Sequence, residues 1–437
     1  MAEIRPFRGV RYNRELAREL ADIICPPYDV IDPQLQHELY HRSPYNFVRI
    51  EAGRKLAQDT NTDNKYTRSA ATPEQWLAEG VLAADPAPVV YIHDHYFNYE
   101  GKEMRRRAVI AGVRLEEWDK KVVRPHEGIL AEYKGDRFSL LWALKVNASP
   151  ILALFEDGEK RVAGLLAKAE ESQPIVNFSE SNGERHELRA ITQPEIISQL
   201  AGCFVDSPLY IADGHHRYES ALAFRRERRA GPATTGDKAY DFVMMALVDF
   251  ADPGVLILPP HRLVGGIPKA ALSQLSAKLE SLFDIEELPL DTPDVWGKVD
   301  SLLAAGGKDE VSFALFGLNE GRFLILKLRD SAAASRMMPY FHSELYKKLD
   351  VSVLDHVILE ELLGLGSGGE GAVLAFSYDG RDAVNRVQEQ EYQLAFLLRP
   401  MKPEVIKAVA DADDRMPRKS TYFYPKAPAG LVLYRLV

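Results

Sequence analysis

The chain has 437 residues, 46% of them apolar and 27% charged, which fits a soluble globular protein with two or three domains. A formal charge of −10 argues against a general nucleic-acid binder but leaves room for a local basic pocket. No run approaches the roughly eighteen apolar residues of a membrane-spanning helix, MAEIRPFRG lacks a signal-peptide core, and Cys25 and Cys203 fit no metal spacing, so a cytoplasmic protein with two free thiols is expected.

The first region, residues 1–105, opens extended at Ile4–Gly9 and predicts a helix near Arg14–Ala21. Pro26-Pro27-Tyr28-Asp29-Val30 is a stiff loop, because two prolines fix two φ angles and remove two donors. Asp32-Pro33 predicts a helix start with Asp32 as cap, Phe47–Ile50 a strand, Thr72-Pro73 another helix start, and Pro88–Tyr99 a strand. That last strand holds His93-Asp94-His95. Alternation puts the two histidines on one face and Asp94 on the other, and two ligands are too few for a closed zinc site. A solvated or cross-strand-paired strand is expected there, and no metal ligands are assigned.

A domain boundary is placed at Arg105-Arg106-Arg107, opening a second region at 106–260. It contains strands near Ala108–Leu115, Ser149–Phe155, Ile175–Phe178, Glu184–Ile191 and Ala239–Leu247. Helices are predicted from Phe138, with Gly135-Asp136-Arg137 as its cap, and at Lys160–Glu171 and Thr192–Leu200. The third region, 261–437, predicts helices at Pro268–Leu282, Asp294–Leu303 and Val353–Leu363, and strands at Val311–Phe316, Phe323–Leu328 and Leu394–Leu398. Gly364–Gly371 is glycine-rich but lacks the Lys-Ser/Thr of a phosphate loop, and reads as a linker. The whole is a mixed α/β (α+β) pattern without internal repeats.

The sharpest chemical signal is SPLYIADGHHRYESALAFRRERR, Ser207–Arg229. Pro208–Ala212 reads as a buried strand, Asp213-Gly214 as a tight turn, and the remainder as a helix with Tyr218, Ala221, Leu222 and Arg225 on one face. Asp213 is the expected N-cap and Gly214 permits close backbone approach. His215, His216 and Arg217 fall in the first helical turn, where the dipole disfavours cations, so an anion site is expected at Gly214, His215, His216 and Arg217. A second cationic block, Arg418-Lys419-Ser420-Thr421, offers the donors that phosphates favour. Glu127, beside His126, is the expected general base, with Asp213 and Asp29 as the other carboxylates. Arg137 and Arg262 complete the inventory of anion partners.

The DGHHR turn resembles the phosphate-binding motif of the superfamily that includes sulfiredoxin, the nucleotide-binding ParB proteins and a free serine kinase. IRPFRGVR, PPYDVI, SPYNFVRIE, RPHE, GDRFSLL, SPILALFED, ADGHHRYESAL, LPPHRLV and MPRKSTYFYPK together resemble a family of bacterial and archaeal proteins, the domain of unknown function numbered 1015. The resemblance implies a sulfiredoxin/ParB-like core flanked by N- and C-terminal α/β regions. It further implies a nucleotide, ATP or ADP, gripped by Gly214, His215, His216 and Arg217, with Mg2+ on its phosphates. The preferred expectation is a small-molecule kinase that phosphorylates a hydroxylated metabolite, free serine first among them. Glu127 and Asp213 act there with His216, and Asp29, His126, Arg137 and Arg262 meet the substrate. The alternatives are a phosphatase of a small phosphorylated metabolite such as phosphoserine, using His215 or His216, and a non-catalytic nucleotide switch of the ParB type. Nucleotide and small molecule are the expected partners, with no membrane and with a homo-oligomer left open.

Overall fold

The computed structural model describes all residues except 17–18, 129–130, 171, 232–234, 306, 308–309 and 366–372, and no side chains at 131–134. Most of Gly364–Gly371, and part of the helix expected at Arg14–Ala21, lie outside the described residues; a short helix follows at Leu20–Ile23. The chain is a mixed α/β protein that divides into two units. One comprises Met1–Pro125, Ile129–Leu256 and Pro425–Val437, and the other His126–Gly128 and Ile257–Tyr424. The boundary expected at 105 falls inside the strand Lys102–Arg114. Arg105, Arg106 and Arg107 continue that strand's ladder opposite Tyr96, His95 and Asp94, and Arg107 pairs with the buried Asp94 at 2.6 Å.

The first unit is built on a nine-stranded sheet. Its order is Val123–Arg124, Leu209–Asp213, Ile151–Phe155, Phe242–Asp249, Lys102–Arg114, Val90–Tyr99, Arg185–Ile191 and Val176–Ser179, with Ile4–Arg5 beside Lys102–Arg114. Leu209, Tyr210, Ile211 and Ala212 are all buried, as a continuous apolar run in a central strand requires. The strand runs parallel to Val123–Arg124 and antiparallel to Ile151–Phe155, with a register shift between Ile211 and Asp213. The helix that follows, His215–Arg229, buries Tyr218, Ala221, Leu222 and Phe224. A smaller sheet pairs Leu82–Ala84, Gly9–Tyr12, Leu433–Arg435 and Val146–Asn147, which returns the C-terminal segment to this unit.

The second unit has a six-stranded antiparallel sheet ordered Phe283–Pro289, Arg322–Leu328, Ser312–Phe316, Leu394–Leu397, His261–Gly265 and Val373–Ser377. Its core joins Leu263, Phe316, Phe323, Ile325, Val299 and Val384.

Three local expectations fail for identifiable reasons. Phe47–Ile50 is no strand: Val48–Glu51 is a helix. The buried Asn46 accepts from Val48 N–H at 2.9 Å and donates to the carbonyls of Asp22 and Ile24 at 2.8 and 3.1 Å, so its side chain starts the helix and anchors it. The next helix begins not at Thr72-Pro73 but at Lys65, where Asn64 and Thr67 form a reciprocal capping box, and Pro73 lies inside it. Gly135-Asp136-Arg137 likewise sits within the helix Ala131–Leu144. The Asp136 carboxylate accepts from Lys65 Nζ at 2.5 Å and Tyr66 Oη at 2.9 Å, which ties these two helices together.

Replacing Asn46 with Ala strands the buried Ile24 carbonyl and Val48 amide and removes the bond to the Asp22 carbonyl. The expected cost is about 3 kcal/mol, read as a lower urea midpoint with unchanged slope. Asp136 gives a pH-dependent counterpart. Burial opposes its ionisation, but Arg137 and Lys65 outweigh that and hold the carboxyl at about 2 rather than its ordinary 3.8. Its contribution is therefore complete above the ordinary value and is lost as pH falls through about 2. Asp136→Asn should accordingly be destabilised at pH 7, with the deficit closing toward pH 2 in urea melts of both proteins.

Candidate functional site

Gly214 is the N-cap of the His215–Arg229 helix at φ +101°, a conformation that favours glycine. Asp213 is not the N-cap, contrary to expectation: it ends the strand, and Gly214 takes the N-cap position. Its carboxylate instead pairs with Arg217 Nη2 at 2.7 Å and with Lys426 Nζ, which also lies 3.5 Å from Asp29. A short carboxylate can serve either amides or cations, and here two cations have claimed it. Burial works against ionisation of Asp213, yet Lys426 and Arg217, with His215 nearby, hold its carboxyl far below the usual range.

Arg217 folds back over the turn. A Cβ at Gly214 would stand 2.9–3.1 Å from its guanidinium, so glycine is required for this approach as well as for φ. Arg217 Nη1 donates to the Pro150 carbonyl at 2.6 Å and to Ser149 Oγ at 3.0 Å, while its buried Nε has no hydrogen-bond partner. Burial disfavours the charge on Arg217, and the carboxylates of Asp213 and Glu51 more than compensate.

Glu51, at the end of the Val48–Glu51 helix, is 2% exposed. Its Oε1 accepts from Tyr28 N–H at 3.4 Å and Ser149 Oγ at 3.5 Å. Arg137 stands 3.9 Å from the same oxygen, donates to the Glu51 carbonyl at 3.0 Å and lies over the Tyr28 ring at 4.0 Å. Glu51, Arg137, Ser149 and Arg217 line a small, open pocket of about 50 Å3, and Leu140, Leu144, Val146 and Val243 line its apolar side. This combination of a largely apolar wall with a few convergent polar groups suits a small-molecule site.

The first unit thus gathers Asp29, Arg137, Asp213, Gly214 and Arg217 from the residues singled out in the sequence, with His215 buried and His216 half-buried at the start of the same helix. It adds Glu51, Ser149 and Lys426, which the sequence reading missed. The second unit gathers another group. Glu127 Oε1 accepts from Lys419 N–H at 2.6 Å, Glu127 bridges to Met416, and His126 Nε2 lies 3.0 Å from Thr421 Oγ1. Ser420 is buried and donates to the Pro417 carbonyl at 2.5 Å, and Gly128 lies beside the Arg418 stem. Arg262 is fully buried, pairs with Asp355 at 3.2 Å and donates to the Pro260 carbonyl at 2.7 Å. These partners account for its burial as a core cation.

His93-Asp94-His95 is not a solvated strand. All three residues are buried, with Asp94 on the face opposite the histidines and paired with Arg107 and Arg189. The neighbouring strand brings His186 directly opposite His95, so the pairing alternative of the sequence reading describes what is found.

No curated protein matches the sequence. Among solved structures, free serine kinase in complex with AMP aligns with 14% identity and a TM-score of 0.35, covering 74% of this chain and 92% of that one. A conserved hypothetical protein from Pyrococcus furiosus aligns with 16% identity and a TM-score of 0.35, covering 74% and 95%. SbnI with a C-terminal truncation, from Staphylococcus aureus, aligns with 10% identity and a TM-score of 0.36, covering 74% and 85%. Likenesses this distant say nothing about activity. The family described as protein of unknown function (DUF1015) matches residues 4–352, and the chain belongs to that family.

Proposed function

We propose that the protein is a nucleotide-dependent phosphotransferase acting on a small hydroxylated metabolite, with its site at the Asp213–Arg217 turn and the adjoining pocket. The observation that carries this reading is the pairing, in one pocket wall, of Arg217 and the buried carboxylate of Glu51. Arg217 presents a buried guanidinium whose Nε is without a partner, as an anion-gripping arginine would before its ligand arrives.

Phosphates resting at the first turn of the His215–Arg229 helix would meet the positive end of its dipole, Arg217 and Lys426. Asp29 and Asp213, the carboxylates that Lys426 now joins, are oxygen donors of the kind Mg2+ prefers, and the ion would neutralise phosphate charge when bound. The substrate hydroxyl would lie toward Glu51, which takes its proton as the oxygen attacks the terminal phosphorus. The bond from that phosphorus to the bridging oxygen then breaks, and the nucleotide leaves one phosphate shorter. Glu51 replaces Glu127 as the proposed base, because it shares the pocket with Arg217, whereas the Glu127 carboxylate holds the Lys419 amide. Free serine heads the panel of substrates by family resemblance.

Two variants separate binding from chemistry. Arg217→Ala should weaken nucleotide binding by about 1.5–3 kcal/mol, measured by calorimetric titration with ADP and ATP on protein whose fold is verified by its melting curve. Nucleotide binding that stays at the wild-type level would sink the phosphate assignment. Glu51→Gln should keep nucleotide affinity and lose turnover by about a hundredfold or more in single-turnover transfer to hydroxylated amino acids. Glu127→Gln, assayed beside it, should stay within a few fold of wild type; the opposite ranking would return the base to Glu127.

A further inference from the structure

A polar cluster between the strands Val90–Tyr99 and Arg185–Ile191 of the same sheet is not used by this chemistry. In the strand Val90–Tyr99, His93 and His95 lie two residues apart and so face the same way. In Arg185–Ile191, His186 sits directly opposite His95 and Leu188 opposite His93, which brings a third imidazole to the pair. Ring centroids are 4.2 Å apart for His95–His186 and 5.3 Å for His93–His186. The three rings are 5%, 1% and 0% exposed in chain order. The turn leading into the second strand adds two carboxylates: Glu184 Oε2 lies 2.6 Å from His95 Nε2, and Glu180 Oε1 lies 3.0 Å from His186 Nε2.

The proton inventory is informative. A carboxylate only accepts, so His186 donates through Nε2 to Glu180 and keeps a lone pair on Nδ1, 3.1 Å from His93 Nε2. An outer carboxylate that fixes the tautomer in this way is the usual support of a metal-bound histidine. Arg106 Nη2 faces His95 Nδ1 at 3.3 Å, so without a cation His95 carries its proton on Nε2 and gives it to Glu184. A metal on His95 Nε2 shifts that proton to Nδ1 and displaces the Arg106 contact, the longest hydrogen bond of the cluster. Arg106 retains the Pro425 carbonyl at 2.7 Å.

We propose that His95, His186 and Glu184 bind a divalent transition-metal ion of the zinc class, with His93 as the adjoining nitrogen and Glu180 as the outer carboxylate. The ligand atoms of His95, Glu184 and His186 already lie within 4.8 Å of one another. Ligands about 2.0–2.1 Å from zinc stand about 3.3 Å apart around a tetrahedron, so small side-chain movements complete the site. Nitrogen-rich ligation selects zinc or cobalt over magnesium, which prefers oxygen alone. Two carboxylates offset the charge of the ion beside Arg106.

The test uses full-length protein stripped with a chelator and titrated with Zn2+ by calorimetry, and with Co2+ by visible absorption. Expected are one tightly bound ion per chain, the intense bands of four-coordinate Co2+, and no competition from Mg2+. His186→Ala should lose uptake by a hundredfold or more, and Glu180→Gln should weaken it by about ten- to a hundredfold. If His186→Ala fails to fold by circular dichroism, His95→Gln is read in its place. The exposed helix Pro33–Arg42 carries a second histidine pair, His37 and His41, with rings 4.2 Å apart, and supplies the control. His41→Ala should leave the tight uptake unchanged. Wild-type protein that takes up no stoichiometric Zn2+, or uptake that survives His186→Ala and vanishes in His41→Ala, overturns the proposal and leaves a hydrogen-bonded histidine cluster.

Discussion

Everything in the candidate site hangs on the carboxylate of Asp213. It ends a buried strand, begins the turn into the site helix, and is held between Arg217, four residues on, and Lys426 near the C-terminus. A buried carboxylate is costly alone, and removing one partner of such a group typically costs about 3–5 kcal/mol. The pairing therefore anchors the segment Pro425–Val437 to the end of the strand Leu209–Asp213, and Leu433–Arg435 completes the smaller sheet beside Gly9–Tyr12. The same pairing directs Arg217 back across Gly214, into the pocket wall and away from solvent. A capping Asp213 would have left both cations in need of other counter-charges.

How much of this is legible in the sequence varies with the range of the deciding interaction. The strand–turn–helix at Leu209–Arg229 follows from local rules: an apolar run, a glycine that must take positive φ, and a helical apolar face. The N-cap role of Asp213 is the local default too, but Gly214 takes that position and the carboxylate pairs with Lys426, more than two hundred residues away. Phe47–Ile50 has the composition of a strand, yet Asn46 reaches the carbonyls of Asp22 and Ile24 and turns the chain into a helix. That one tertiary contact also decides where Glu51 goes. Read as the residue after a strand, Glu51 drew no notice; as the last residue of a buried helix, it faces Arg137 and Arg217.

The candidate site was half visible for the same reason. Asp29, Arg137, Gly214 and Arg217 stand out because proline-stiffened loops, glycines and cationic clusters are conspicuous in a net acidic chain. Ser149 and Lys426 have no such flag, since one serine and one lysine look like any other until the fold sets them beside an arginine or a carboxylate. The Arg418–Thr421 block shows the converse. Its composition suggests phosphate, but the Lys419 amide and Thr421 hydroxyl are matched by Glu127 and His126. Motif density alone could not distinguish a cation that awaits a ligand from a loop that holds its own hydrogen bonds.

The histidine cluster makes the case from pairing. His93 and His95 alone are too few ligands, and the register of the partner strand cannot be read from one segment. Register places His186 opposite His95, and the turn before it brings two carboxylates. Arg106 then joins this cluster to the site through covalent geometry. Its guanidinium donates to the carbonyl of Pro425, the residue before Lys426, while facing His95 on its other side. Burial lowers the pKa of Arg106 only to about 10, so it remains a cation at neutral pH and must keep acceptors. The position of the lysine that holds Asp213 thus depends on a guanidinium that also faces an imidazole nitrogen.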